Sequence, residues 1–364
     1  MTKYVLSMMA CVTAFLLSTP LSQAASIDDP FGYFNVYSLN DIGTEATAYG
    51  SDFQGKTGAA RDVYFSGFNA AALEPADYGM HVEGSATLGN GTYNGHVEAG
   101  GNITLKTGAT IKGNVYAKGD VTNYPLDSAS GSVSGDVFAG GTASFGSHYT
   151  VSGTQNSGVP YNAVAAHSVL SNYFKDFSKH VSNMFEQGGS LSDDGYGHLS
   201  IAALTGVNVF EIDADMLSDF GSNNGSLSSE NIHTFNISGA SDSIIYINVL
   251  GEAASVGWLG MSYSGGITAA DVLFNFVDAT SLTLTNGNYA NFLAANAQTD
   301  HAHGTHSGNL IVGDLQGGHQ INIGDRFRHG TPVISTVPEP GTVLMLSTGI
   351  LALMGTSSAG RKQK

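Results

Sequence analysis

Cysteine is nearly missing from the 364 residues, and Cys11 is the only one. It stands in an N-terminal stretch where Lys3 opens a short charged region and Val5 to Leu17 is apolar. Ser22-Gln23-Ala24 then places small residues at the positions a signal peptidase reads. Cleavage between Ala24 and Ala25 leaves a mature chain with no thiol, which excludes disulfides, thiolate metal sites and cysteine nucleophiles. A lipid on Cys11 is the competing reading, weakened because Met8-Met9-Ala10-Cys11 lacks the usual leucine.

Charge is scarce as well. Asp, Glu, Lys and Arg make up 12% of the chain, and 30 acidic against 13 basic side chains give a net charge of −17. Such a balance argues against nucleic acid as a partner, and the surface has to be built largely from Ser, Thr, Asn and Gly. The late apolar stretch, Thr342 to about Gly355, is roughly 15 residues long, short of the ~20 that span a bilayer comfortably. It would hold a membrane only under strain. Val337, Pro338, Glu339, Pro340 and Gly341 precede it; Arg361, Lys362 and Lys364 follow, where the positive-inside bias keeps them cytoplasmic. This order resembles the PEP-CTERM sorting signal. The resemblance implies export past a signal peptidase, transient residence in the inner membrane and processing by an exosortase. The chain then divides into a signal peptide over 1–24, a body over 25–335 and a sorting segment over 336–364.

Glycine is abundant, with 48 in the chain and no collagen period. One phrase recurs: Gly95-His96-Val97-Glu98-Ala99-Gly100-Gly101-Asn102-Ile103-Thr104-Leu105, Gly113-Asn114-Val115-Tyr116-Ala117, and Gly135-Asp136-Val137-Phe138-Ala139-Gly140-Gly141. Weaker copies run through Ala59 and Val82. From Ala59 to Val82, Ala99, Ala117 and Ala139 the steps are 23, 17, 18 and 22 residues. That spacing suits one coil of a β-helix. Alternation points Val97, Ala99, Ile103 and Leu105 inward and His96, Glu98 and Asn102 to water, while glycines allow sharp corners. A coil cannot bury its inner face alone, so coils must stack as a solenoid. A β-sandwich with glycine-rich turns is the alternative fold.

From about residue 161 to 187 the period changes. Val164, Leu170, Tyr173, Phe174, Phe177, Val181, Met184 and Phe185 recur at helical steps, predicting one long helix ended by Gly188-Gly189 and laid along the β-helix. β-Type runs resume at 207–212, 232–237, 243–249 and 272–276. Gly308-Asn309-Leu310-Ile311-Val312-Gly313-Asp314-Leu315 then echoes the early phrase, so the chain is expected to return and add or close a coil.

Phe34-Asn35-Val36-Tyr37, Ser51-Asp52-Phe53-Gln54-Gly55, the Ala-Gly-Gly coils, and Phe292-Leu293-Ala294-Ala295-Asn296-Ala297 leading to Gly308-Asn309-Leu310-Ile311 resemble the choice-of-anchor A domain over roughly residues 31 to 334. The resemblance implies an adhesin-like surface protein and assigns no catalytic residue. Arg61 departs from it, standing where glycine is expected and marking the first coil as irregular.

Enzymatic alternatives rest on two clusters. His301, His303 and His306 have zinc-like spacing, though no carboxylate completes a hydrolase signature and exposed loop histidines are the plainer reading. Glu211, Asp213 and Asp215 would share one face of a strand, suiting calcium or the acid/base chemistry of a polysaccharide-acting enzyme; a solvated strand face is the default. Ice binding is a third class, because Thr87, Thr104, Thr122 and Thr142 fall near equivalent places. The sequence favours a non-enzymatic, cofactor-free structural or adhesive protein whose polar solenoid faces meet exopolysaccharide or matrix.

Overall fold

Each recurrence of the glycine-rich phrase is a short strand, and successive strands lie parallel and side by side in the computed structural model, which describes residues 27–67, 69–74, 78–159, 167–217 and 232–328. Ala59 pairs with Val82, Val82 with Ala99, Ala99 with Ala117 and Ala117 with Ala139. This is the predicted register, and all five residues are buried. Thr57, Met80, Val97, Val115 and Val137 form a second inward column beside them.

Two more parallel stacks complete each turn. One runs through Val63–Phe65, Ala86–Leu88, Ile103–Lys106, Val121–Tyr124 and Ala143–Ser144; the other runs through Asn69–Ala70, Gly91–Tyr93, Ala109–Ile111, Gly131–Val133 and Tyr149–Val151. The fold is a three-sided β-helix. Its bore is filled by Ile103, Leu105, Ile111, Val121 and Val133, each fully buried. Truncating such a side chain to alanine costs about 2–5 kcal/mol, because the surrounding coils cannot collapse into the gap.

The first side reveals the chain's path. Its strands follow the spatial order 155–157, 137–139, 115–117, 96–99, 78–82, 57–59, 36–38, 310–317, 291–301, 272–276, 243–250 and 206–213. The first described strand, Val36–Ser38, lies in the middle, and the chain coils outward from it to Ser157. It resumes at the opposite end and coils back until Leu310–Gly317 lies beside Val36–Ser38. Val36 therefore pairs with Thr57 on one edge and Leu310 on the other, and the late echo of the repeat is the coil that closes on the first. All described residues belong to one compact unit, Met1–Thr331.

The long helix is His167–Ser182. Leu170, Phe174, Phe177 and Val181 bury against Tyr37 of the first strand and Val209, Tyr246, Leu273, Leu293 and Ile311, the outward residues of the returning strands. These strands are apolar on both sides because one side faces the bore and the other the helix. Buried amides fix the helix in place: Ser178 Oγ donates to Asn275 Oδ1 at 2.6 Å, Asn275 Nδ2 donates to Ser178 O and to Asn248 Oδ1, and Asn248 Nδ2 reaches Val181 O. The helix ends at Ser182, five residues short of the end expected at 187 before the glycines. Ser182 Oγ and Asn183 Nδ2 both donate to Lys179 O, and Gln187 already bridges Val209 as extended chain. Phe185, expected on the apolar face, is consequently 90% exposed. Val164 lies outside the described residues. Among the described residues no helix is long and apolar enough to cross a membrane.

The glycines of the Ala-Gly-Gly corners serve close stacking between coils, while others such as Gly95 and Gly108 take the left-handed conformation that a sharp turn needs. A Cβ at Gly100 would collide with the carbonyl oxygen of Glu83, and one at Gly140 with that of Lys118. The polar residue beside them caps the next coil. Asp314 Oδ1 accepts from Asp41 N, Asp41 Oδ1 from Asp62 N, Asp62 Oδ1 from Ser85 N, Ser85 Oγ from Asn102 N, Asn102 Oδ1 from Asp120 N and Asp120 Oδ1 from Thr142 N, at 2.7–3.2 Å. Backbone donors that the corner frees from sheet pairing are thereby satisfied. A second corner repeats the device through His96, Asn114 and Asp136. There the Thr154 N–H and hydroxyl hold the Asp136 carboxyl below its usual range. Arg61 does not disrupt the first coil; it is exposed and forms an ion pair with Asp41, relieving the repulsion among Asp41, Asp62 and Asp314 at the seam.

Candidate binding faces

The helix covers part of the first side, and the other two sides carry polar outward rows. On the second side, Thr87, Thr104, Thr122 and Ser144 stand in register on neighbouring strands. Ser144, not Thr142, completes this ladder, since Thr142 sits at the corner, where its N–H is capped by Asp120. The row's spacing is that of the sheet, about 4.8 Å per strand. The returning half continues this side with Ser255, Thr283, Asp300 and Gln316.

The third side has a ladder that the sequence reading missed: Asn69, Thr92, Thr110, Ser132 and Thr150. From Thr92 onward its steps are 18, 22 and 18 residues, the spacing of the alanine column, so a signal was present. On the returning half the same side bears two rows, Ser192-Ser200-Asn236-Ser262 and Ser190-Ala202-Ser238-Ser264. They line a shallow concavity of about 290 Å³. Side chains this small leave the sheet surface low.

His301 and His306 are not exposed loop residues. Both are fully buried in strands Asn291–His301 and Thr305–Ser307, whereas His303 is exposed in the turn between them. His301 Nδ1 meets the Tyr49 hydroxyl at 3.1 Å, and that hydroxyl donates to His319 O. His306 Nε2 lies 3.0 Å from Asn309 O. Burial, helped by His306 and His319, lowers His301 to about 3; burial also lowers His306 to about 4. Both imidazoles are neutral at pH 7 and act as core polar residues. Among the described residues no group of three His, Cys, Asp or Glu side chains is placed to hold a metal ion.

Glu211 and Asp213 project from strand Gly206–Asp213 and are exposed, while Asp215 lies beyond it in a short 3-10 turn. The row is a solvated face. Glu98 points away from the bore as alternation predicts, yet it is buried: His81 of the preceding coil lies against it, Nδ1 to Oε2 3.3 Å. The other His81 nitrogen meets the Tyr33 hydroxyl at 2.7 Å, and the rings of Phe34 and Tyr78 pack around it. This part of the first side is covered, which alternation alone does not reveal. Ala24, Ala25, Val337, Pro338, Glu339, Pro340, Arg361, Lys362 and Lys364 lie outside the described residues.

No curated protein and no solved structure matches the chain. The body does match a family: residues 27–323, nearly the whole solenoid, fit the ice-binding-like adhesive domain, and the chain belongs to that family.

Proposed function

We propose that this chain is a non-enzymatic adhesive module of the choice-of-anchor A type, exported from the cell, processed by an exosortase and displayed at the surface or in the extracellular matrix with exopolysaccharide. The observation that carries this reading is the pair of in-register hydroxyl and amide ladders on the two sides the helix leaves uncovered. Repeated weak hydrogen bonds along such rows add up by multivalency, which suits an extended polymer better than a small molecule. Membership of an adhesive family supports a place outside the cytoplasm. Mass spectrometry of the C-terminal peptide, in envelope and released fractions of the native host, tests the sorting. An end near Pro340 that disappears when the exosortase gene is deleted is the expected result; an intact Lys364 in every fraction overturns it.

Ice binding is the second reading, favoured by the alignment of Thr87, Thr104, Thr122 and Ser144. Thermal hysteresis of the purified body, lost on replacing Thr104 and Thr122 with leucine, is its expected signature. Hysteresis indistinguishable from that of an inert protein rules it out.

A further inference from the structure

The chain has a single tryptophan, and it is on the surface. Trp258 is 54% exposed and Tyr289 53% exposed, although most other large aromatic rings of this fold are buried. The two belong to neighbouring coils. Leu259 bridges Asn288 in parallel register, so Trp258 and Gly260 on one strand flank Gly287 and Tyr289 on the next. Two glycines supply the floor: a Cβ at Gly260 would stand 3.6 Å from Trp258 Cη2, and one at Gly287 3.7 Å from Tyr289 Cε2 and 3.9 Å from Trp258 Cδ1. Two and four residues along the strand from Gly260 begin the rows Ser262-Asn236-Ser200-Ser192 and Ser264-Ser238-Ala202-Ser190, which line the shallow concavity.

Exposed aromatic rings beside a low field of hydroxyls and one amide present the two things a sugar ring asks for: an apolar surface for its C–H face and hydrogen-bond partners for its hydroxyls. The field contains no lysine or arginine, and its margin carries Asp193 and Asp194, the latter bonded to His198. With a net charge of −17, this surface repels anionic polymers.

We propose that Trp258, Tyr289 and the adjoining Ser/Asn rows form the binding site for a neutral polysaccharide, with the chain lying along the third side of the returning coils. The proposal rests on the adhesive reading above and names its site. The unique tryptophan makes it directly testable with the purified body and soluble dextran, galactomannan and laminarin as neutral probes, with polygalacturonate as the anionic comparator. At least one neutral polysaccharide is expected to blue-shift the Trp258 emission and to retard the protein in affinity electrophoresis. Trp258→Ala and Tyr289→Ala each lower that affinity about tenfold, while circular dichroism and the unfolding midpoint stay at the wild-type value. Asn172→Ala, on the exposed face of the covering helix, changes nothing. If a polysaccharide binds the wild type with the emission unmoved, and Trp258→Ala retains full affinity, the site is wrong and the adhesive reading stands. Preference for polygalacturonate overturns the neutral assignment. If neither these probes nor exopolysaccharide from the native host is retained, the adhesive reading falls and the site with it.

Discussion

Acid should loosen this fold well before its carboxylates protonate. Burial lowers three histidines from the ordinary 6.5: His167 to about 3 (also repelled by His81), His301 to about 3 and His306 to about 4. His167 stacks on Tyr37 with rings 5.9 Å apart and its Nδ1 3.1 Å from the Tyr37 hydroxyl, where the long helix meets the seam. With folded values depressed, the unfolded chain binds more protons between pH 6.5 and about 3–4. The stability these groups contribute is therefore complete above pH 6.5 and lost as pH falls through that window. At pH 5, 1.5 units below the unfolded value, each histidine costs about 2 kcal/mol at ~1.4 kcal/mol per unit. The three together cost about 6 kcal/mol, comparable with the whole net stability of a typical domain, ~5–15 kcal/mol. Urea unfolding followed by far-ultraviolet circular dichroism at pH 7, 6 and 5 measures the loss. His167→Asn removes about a third of the pH dependence while retaining a polar partner for Tyr37. A midpoint that stays constant from pH 7 to 5, or a His167→Asn, His301→Asn, His306→Asn triple variant with the full wild-type slope, refutes the reasoning.

The corner ladder predicts that Asn102→Ala destabilises by about 1 kcal/mol, because the Asp120 N–H loses its acceptor at a partly solvated corner, while Asn102→Asp, which still accepts, is nearly neutral; urea midpoints distinguish them. Ala117→Leu should cost about 1–3 kcal/mol or more by overfilling the bore, and Ala117→Ser much less; a neutral Leu variant would mean that the column is not packed. Phe174→Ala, removing a ring packed against Phe31, Tyr37 and Tyr173, should cost about 3–5 kcal/mol. Hydrogen exchange should then accelerate first along His167–Ser182, and uniform acceleration across all coils would contradict the helix's role as a covering element.

The coils were legible because a parallel stack repeats its inward side chains once per turn, so Ala59, Val82, Ala99, Ala117 and Ala139 announce their own pairing. The covering helix was legible through its period. Less readable was what lies on the outward side. Alternation placed Glu98 on the right face of its strand and His301 read as an exposed loop residue, but the burial of Glu98 under His81 and of His301 beside Tyr49 depends on segments distant in sequence. The helix end was misplaced because local side-chain hydrogen bonds to Lys179 O acted before the glycines could. The third-side ladder was missed because Thr92, Thr110, Ser132 and Thr150 lie between the glycine phrases, where no motif draws the eye. Trp258 and Tyr289 belong to different coils, and only the bridge between Leu259 and Asn288 makes them neighbours.

The waist where the first and last described coils meet has a mechanical meaning. Arg326 Nη1 donates to the carbonyls of Gly32 and Tyr33, Arg326 forms an ion pair with Glu74, Arg328 does so with Asp271, and the Phe327 ring packs 5.4 Å from that of Phe31. Tension arriving through the residues after Arg328 is thus received at the centre, where it is shared between the outgoing and returning coils. Both tips are left out of the force path. A coil inserted beside Gln155–Ser157 or beside Gly206–Asp213 would lengthen one arm without disturbing these contacts, so the length of either arm and the packing of the waist can change independently.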